Sequence, residues 1–392
     1  MRRLALAPLI GFLLTGCGGK QSVEGRIPGS TLKIYVSGPL HGASSVSARA
    51  AMRGAEMALS ERGARIGRYR IVLELLDDST PQSRGWDPNQ TTTNARTAAQ
   101  DPATVGYIGD FDSGASAISI PPLNRAGIPQ VSPQGGAVGL TSPGPGASPG
   151  EPEKYYPAKL RTFARVVPTD ALEEVVVVHL EQSLGCRAPF ALQDGEVDGE
   201  DATISYVLTA QAAGLRVLGV QAFQRQARDY LSLARSLGQA GADCVLVSAS
   251  DERSAARVVA AIARQLPDAR IFASSSLADS AFTDPEMGGV PLAAAPQVRV
   301  LSPGLPASAY PPAGRAFLAR YTSLFGAPQP QAIFGYEAMR LMLDAISRST
   351  DDGRRQAARA KVLAAIFATR RRRSALGTYS IDRDGDVTIR SF

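Results

Sequence analysis

Residues 104–116 read TVGYIGDFDSGAS, an apolar run that breaks into a loop of Asp, Ser and Gly. The run reads as a strand, and the residues from about Ser113 to Arg125 read as the helix that follows it. A serine-bearing turn of this kind can hold a nucleophile, cradle a phosphate, or capture a small anion on backbone N–H groups. Its surroundings narrow the choice, because the same strand-then-helix unit recurs on both sides. Upstream, LKIYVSGPL (32–40) is rich in β-formers, and Ala48, Met52, Ala55 and Leu59 then recur at helical spacing as far as Gly63. IVLELL (71–76) and a helix over about 91–100 come next, and IPQVSP (128–133) follows downstream. Such alternation predicts a parallel sheet covered by helices on both faces.

Residues 139–157, GLTSPGPGASPGEPEKYYP, are too rich in Pro and Gly for regular structure and read as a long loop. The alternation then restarts with a helix over 171–184, PFALQDG (189–195), a helix over 202–213 and LRVLGVQAF (215–223). A helix over 228–239, DCVLVSA (243–249), a helix over 252–265 and ARIFAS (269–274) continue it. After QVRVLSPG (297–304) the pattern changes to helices over about 313–325, 333–347 and 356–368, then TYSIDRDGDVTI (378–389) with a turn at Asp384-Gly385. The chain is therefore α/β, with two Rossmann-like lobes.

The N-terminus has its own logic. Arg2 and Arg3 precede the apolar stretch Leu4 to Leu14, which is short of the ~20 residues a bilayer span requires and has the layout of a secretory signal. It ends in LTGC, which resembles the bacterial lipobox, whose cysteine is lipid-modified and becomes the new N-terminus. Residues 1–16 are thus read as a signal peptide, Cys17 as the lipidation site, and residues 17–30 as a tether. The protein is expected outside the cytoplasm, anchored to the bacterial cell membrane. Removing residues 1–16 takes two arginines with it, leaving 40 basic against 36 acidic residues, a net +4. That mild excess is no nucleic-acid footprint, and Arg370 to Arg373, the one dense basic cluster, reads as a solvated run. Cys186 and Cys244 remain, each just before or at the start of an apolar run. If those runs are neighbouring strands the thiols meet at one sheet edge and can form a disulfide; otherwise both stay free.

KIYVSGPLHG, GYIGDFDSGAS, IPQVSP, YYPAKLRTFARVVPTD, GYEAMRLMLDAI and LGTYSIDRDGDVT, in this order and after LTGC, resemble the type I periplasmic-binding fold. Within it they resemble the solute-binding lipoproteins of branched-chain amino acid ABC transporters, the leucine/isoleucine/valine-binding proteins. The resemblance runs from about Thr31 to Phe392. It implies two lobes joined by three crossovers, near Arg165 to Asp170, Gln297 to Pro303 and Pro328 to Ala332. Residues 31–166 with 302–392 would form the first lobe and 167–301 the second. It further implies a monomer, without cofactor or metal, that closes on a small-molecule ligand and passes it to an ABC permease.

The site candidates follow from both readings. Ligands of open parallel sheets bind beyond the carboxyl ends of the strands, where GDFDSGAS lies. Asp112 or Ser113 can cap the helix, and the free N–H groups near Gly114 to Ser116 can hold a carboxylate. In the proteins resembled, a serine at the position of Ser113 holds the ligand's α-carboxylate. SPQGG (132–136) follows the next strand, so Ser132, Gln134, Gly135 and Gly136 should lie beside Ser113. Relatives often carry an Ala/Thr pair where Gly135 and Gly136 stand, and either Gln134 replaces that hydroxyl or glycine opens the pocket. Relatives also place an aromatic near Ser47, tyrosines near Asp198 and Ser250, and a carboxylate for the ligand's ammonium near Ser275. None of these is present at those alignments, so Asp251, Asp279 and Asp198 are the candidates for the negative charge, with Ser250 and Ser275 beside them. His41, in GPLHG, faces the expected cleft or lies exposed on its loop.

An enzyme has little to work with in this sequence. The two histidines, His41 and His179, are the only bases for a serine hydrolase, and G-x-S-x-G is absent. So is G-x-x-x-x-G-K-[ST], and the three cysteines and two histidines show no metal-ligand spacing. The sequence reads as an extracytoplasmic solute-binding lipoprotein for an amino acid or related carboxylate, with a ligand-sensing receptor of the same fold as the alternative.

Overall fold

The computed structural model of the chain describes residues 25–42, 44–83 and 85–389. The signal peptide and lipidation at Cys17 expected from the sequence, and the expected tether as far as residue 24, lie outside them. From Gly25 onward the expected tether is instead docked. Ile27 is buried in the core, its N–H donates to Ala357 O at 2.9 Å, and Gly25 O accepts Arg359 N–H at 3.0 Å.

The first lobe is built on a six-stranded sheet in the order β2-β3-β1-β4-β5-β6. Its strands are β1 (Thr31–Gly38), β2 (Arg65–Ile66), β3 (Tyr69–Asp77), β4 (Thr104–Ile108), β5 (Gln130–Ser132) and β6 (Phe163–Arg165). All pair in parallel except the edge strand β2, which turns back on β3. Strand periodicity splits the side chains of β1 between two layers. Leu32, Ile34 and Val36 enter the core under α1 (Ser45–Glu61), while Tyr35 packs on the other face with Ala95 and Ala98 of α2 (Pro88–Gln100) and Leu123 of α3 (Ser113–Arg125). β6 was not foreseen, because its three residues sit in a stretch read as a crossover.

The second lobe carries a five-stranded parallel sheet in the order β11-β10-β9-β7-β8. Here β7 is Pro189–Gln193, β8 Val220–Ala222, β9 Cys244–Ser248, β10 Arg270–Ala273 and β11 Val298–Val300. Alternation again serves two layers. Val245 and Val247 pack with α6 (Leu231–Ala240) and α7 (Glu252–Gln265), whereas Leu246 and Phe272 pack with α4 (Asp170–Ser183) and α5 (Val197–Ala212). LRVLGVQAF contributes only its residues 220–222 to the sheet, and α5 begins five residues before the predicted helix. β7 and β9 are neighbours with Pro189 opposite Cys244, and Cys186 and Cys244 form a disulfide with Cα atoms 5.8 Å apart.

The chain passes between lobes over 166–169, after β6, and over 301–311, before α9 (Pro312–Phe325). The third connection, 326–330, touches the second lobe, where Gln329 and Ser280 exchange hydrogen bonds and Gln331 donates to Ala278 O. It leads into α10 (Gln331–Thr350), α11 (Arg359–Phe367) and the hairpin β12 (Arg372–Ser374) and β13 (Gly377–Tyr379), all packed on the first lobe. Arg372 departs from the solvated run expected there. Its guanidinium is mostly buried and pairs with the buried Glu337 at 2.6 Å and with Asp344.

Candidate functional site

In the first sheet β1 lies between β3 and β4, the switch point at which an open parallel sheet leaves a crevice at its carboxyl end. Pro39, just past β1, and Phe111 to Ser113, just past β4, line that crevice. The second sheet presents its own carboxyl ends to the same space, through Ser248 and Ser250 at and after β9 and Ser274 to Ser276 after β10. Asp170 and Glu173 of α4 and Glu252 of α7 complete the second lobe's wall. The cleft holds about 600 Å³ of empty space open to solvent, and continues past Ser44, Asp112 and Ser250 to a mouth bordered by Trp86 and Arg225.

Of the residues singled out in the sequence, Ser113, Gln134, Gly136, Ser250 and Ser275 line this cleft. The Ser113 hydroxyl accepts Ala137 N–H at 3.1 Å, which ties the two first-lobe loops together. Gln134 keeps a buried Oε1 without a hydrogen-bond partner among the described residues, and so does the Ser250 hydroxyl on the opposite wall. Gly136 opens space for the facing lobe. A Cβ there would fall 2.0 Å from Asp170 Oδ1, and Asp170 N–H donates to Gly136 O at 3.0 Å.

Ser116, Ser132 and Gly135 back the wall without lining it. The Ser132 hydroxyl donates to Asp110 O at 2.7 Å and accepts the N–H groups of Gln134 and Gly135, while Ser116 donates to the same carbonyl at 3.4 Å. Gly114 admits a tryptophan, not a ligand, since a Cβ there would lie 2.6 Å from Trp86 Cζ2. His41 also departs from its expected place. It is exposed, outside the cleft lining, with Nδ1 2.9 Å from Asp77 Oδ2 because its loop is pinned by Asp77 and Ser79. Asp251 stands at the mouth and caps α7 by accepting Ser254 N–H at 2.8 Å. Asp198 falls in the first turn of α5, and its side chain lies outside the described residues.

The carboxylate missing near Ser275 comes from an element a hundred residues away. Glu173 Oε1 accepts Ser275 N–H at 2.6 Å and Oε2 accepts its hydroxyl at 2.5 Å. Burial pushes the Glu173 carboxyl up to about 7, against the pull of these two bonds. Glu252 is driven well above the carboxylate range, first by burial and then by the charges of Asp279, Asp112 and Asp251. Ser44, at the start of α1, reaches across to Ser250 O at 3.3 Å and to Glu252 at 3.5 Å. Asp279, expected as a source of the charge, does not line the cleft. It caps the short helix α8 (Ser280–Thr283) by accepting N–H bonds from Ala281 and Phe282, and burial pushes it up to about 6.

Several supporting residues escaped the sequence reading. Asp194, buried at the end of β7, accepts the N–H groups of Ser250 and Asp251 and fixes that loop. Arg165, fully buried in β6, donates to Gly135 O and Ala137 O at 2.9 Å each, to Thr141, and to Asp386 at 2.8 Å, joining the cleft loop to the C-terminal turn. Acidic residues opening a helix complement its dipole, so Asp170 and Glu173 looked ordinary in DALEEVVVVHLEQ. The local signal available was the run of serines after β10, too many for a plain strand end.

Two facing lobes with a polar cleft between them define a binding protein. Neither histidine accompanies Ser113: His41 pairs with Asp77 and His179 is exposed on α4. Residues 31–391 match the family described as periplasmic binding protein, and the chain belongs to that family, one of binding proteins and not of enzymes. Among solved structures it is similar to a leucine binding protein from Thermotoga maritima, with TM-score 0.76 and 20% identity over 91% of this chain and 93% of that one. It is similar also to an ABC transporter solute binding protein from R. palustris in complex with 4-hydroxybenzoate (TM-score 0.74, 17% identity, 91% and 90% covered). A third is the branched-chain amino acid transporter substrate binding protein LivJ from Streptococcus pneumoniae in complex with isoleucine (TM-score 0.71, 15% identity, 91% and 93% covered). At these identities the likeness is one of fold. Among curated protein sequences none matches this chain.

Proposed function

We propose that this protein is an extracytoplasmic solute-binding lipoprotein that captures a small polar solute, an amino acid or related carboxylate, and delivers it to an ABC permease. The observation that carries the reading is the cleft itself, walled by the carboxyl ends of both parallel sheets. A solute touching both walls makes its full set of contacts only when the lobes are together, so binding shifts the population toward the closed state that a permease can recognise. Ser113 and the first-turn N–H groups of α3 would take the solute's carboxylate, and Glu173 its ammonium. The solved neighbours with isoleucine and 4-hydroxybenzoate bound support a small carboxylate as the class. Lipidation at Cys17 would hold the protein at the membrane beside its permease.

A thermal-shift screen of the whole chain against amino acids, amides, organic acids and sugars tests the reading. A solute at 100 times its dissociation constant adds about 2.7 kcal/mol to a protein that binds it only when folded. A hit that is lost in Ser113→Asp supports the reading; a screen without any hit counts against it. Radiolabelled palmitate incorporation that vanishes in Cys17→Ser is the outcome expected for the anchor.

A further inference from the structure

The chain as a whole is basic, with a formal charge of +6, yet the cleft is acidic. Asp112, Asp170, Glu173 and Glu252 line its inner part, where among the described residues no Lys, Arg or His does; Arg225 stands at the mouth. Glu173 and Glu252 decide the matter because they are 3% and 2% exposed and neither is paired with a basic side chain. A buried carboxylate without a counter-charge is costly, and the cost is relieved when a cation enters beside it. Pro39, Phe111 and Ala202 are the apolar residues of the lining, with Trp86 at the mouth, beside eight serines.

Two further oxygens point the same way. Gln134 Oε1 on one wall and the Ser250 hydroxyl on the other are buried without a hydrogen-bond partner among the described residues. Ammonium and guanidinium groups bring the donors that Gln134 Oε1 lacks, and the Ser250 hydroxyl can accept from such a group or donate to the solute. A single metal ion fits the arrangement poorly. Among the described residues, the one set of three ligand groups within 4.8 Å of one another is Cys186, Asp243 and Cys244, outside the cleft and with its cysteines in a disulfide. No three of the cleft's carboxylates come within 4.8 Å of one another among the described residues.

We infer that the solute is a net organic cation, an amine or guanidine whose positive nitrogens meet Glu173 and Glu252. This rests on the cleft being the capture site proposed above and names its substrate class. A cationic amino acid would keep its carboxylate at Ser113; a diamine would leave that position to water.

Isothermal titration of the whole chain at pH 8 with L-arginine, L-lysine, agmatine, cadaverine, L-leucine and 4-hydroxybenzoate tests it. Saturable binding of the cations, weakened by added salt and about tenfold or more in Glu173→Gln and in Glu252→Gln, is the expected result. Agmatine or cadaverine binding as well as the amino acids means that no carboxylate is read; binding of arginine or lysine alone means that one is, and both outcomes support the inference. Melting curves establish that each variant is folded, and the salt dependence of the unsubstituted protein remains decisive if one is not. Binding of leucine or 4-hydroxybenzoate with none of the cations overturns the inference and leaves the capture reading standing. So does a hit confined to uncharged sugars or amides in the wider screen. Cation binding indifferent to salt and to both substitutions overturns it too, whereas no response to any solute counts against the capture site itself.

Discussion

Glu173 is a buried carboxyl whose ionisation costs stability, and on the function proposed above it would repay that cost in recognition. An unfolded glutamate titrates near 4.5, and in the folded protein burial raises this one to about 7. A raised carboxyl means that the folded state holds the proton more tightly, so stability falls as pH rises from about 4.5 to about 7 and is level above that. The difference corresponds to about 3 kcal/mol. The neighbouring Glu174 is pushed up as well, by burial and then by the charges of Glu173, Asp170 and Glu181. Glu173→Gln should therefore melt higher than the unsubstituted protein at pH 8 and little differently at pH 4.5, as thermal melts at the two pH values would record. Solute affinity should move oppositely, rising with pH through 7 because an incoming cation favours the ionised carboxylate. Arg165 is the counterpart on the first lobe, a buried cation held by Asp386 and by two carbonyls of the cleft loop. Arg165→Met leaves the acceptors at Gly135, Ala137 and Asp386 short of a donor, and should cost about 3–5 kcal/mol in denaturant unfolding.

Among the elements, α1 and α10 pack closely against each other. Gly54 and Gly335 occupy reciprocal positions at their crossing, where a Cβ on Gly54 would lie 2.1 Å from Ala332 O and one on Gly335 2.0 Å from Ala51 O. Backbone lies opposite in both cases, so no side chain can swing aside. Gly335→Ala, although it raises helix propensity, should destabilise the chain by about 1–3 kcal/mol in a denaturant titration. In the second lobe the disulfide ties the segment before β7 to the start of β9 across a separation of 58 residues. Loop-closure entropy for that length predicts roughly 4 kcal/mol. The Cys186→Ser/Cys244→Ser pair should lose a large part of it in reversible unfolding, and the unreduced denatured protein should show no thiol from these two positions.

For the molecule as a whole, the function proposed above requires the lobes to meet and part. Trp86, the single tryptophan, borders the cleft mouth on the first lobe opposite Glu196 and Arg225 of the second. Its emission should respond to closure, so a saturating solute should change Trp86 fluorescence with the same midpoint as the calorimetric titration. A solute that binds calorimetrically but leaves the emission unmoved would place binding away from the facing lobes.

Strand and helix periods, loop composition and the order of elements were legible in the chain because each depends on residues close in sequence. They led to two α/β lobes and to a cleft beyond GDFDSGAS, with Ser113, Gln134, Gly136, Ser250 and Ser275 among its candidate lining. The short strand β6 was hidden inside a stretch that read equally well as a connection, and the early start of α5 was masked by its Gly- and Asp-containing first turn. What the sequence could not supply was the partner of each loop. Glu173 lies 102 residues from the serine it binds, Arg165 is 221 from Asp386, and Ser44 is 208 from Glu252. The Ser44 pairing depends on how the two sheets present their carboxyl ends to one another, the Glu173 pairing on how α4 packs beside the end of β10, and the Arg165 pairing on how the C-terminal turn returns to the first lobe. Which acids line the cleft was settled by the tertiary structure, because burial and proximity, which no local pattern encodes, bring helix-opening residues to its wall.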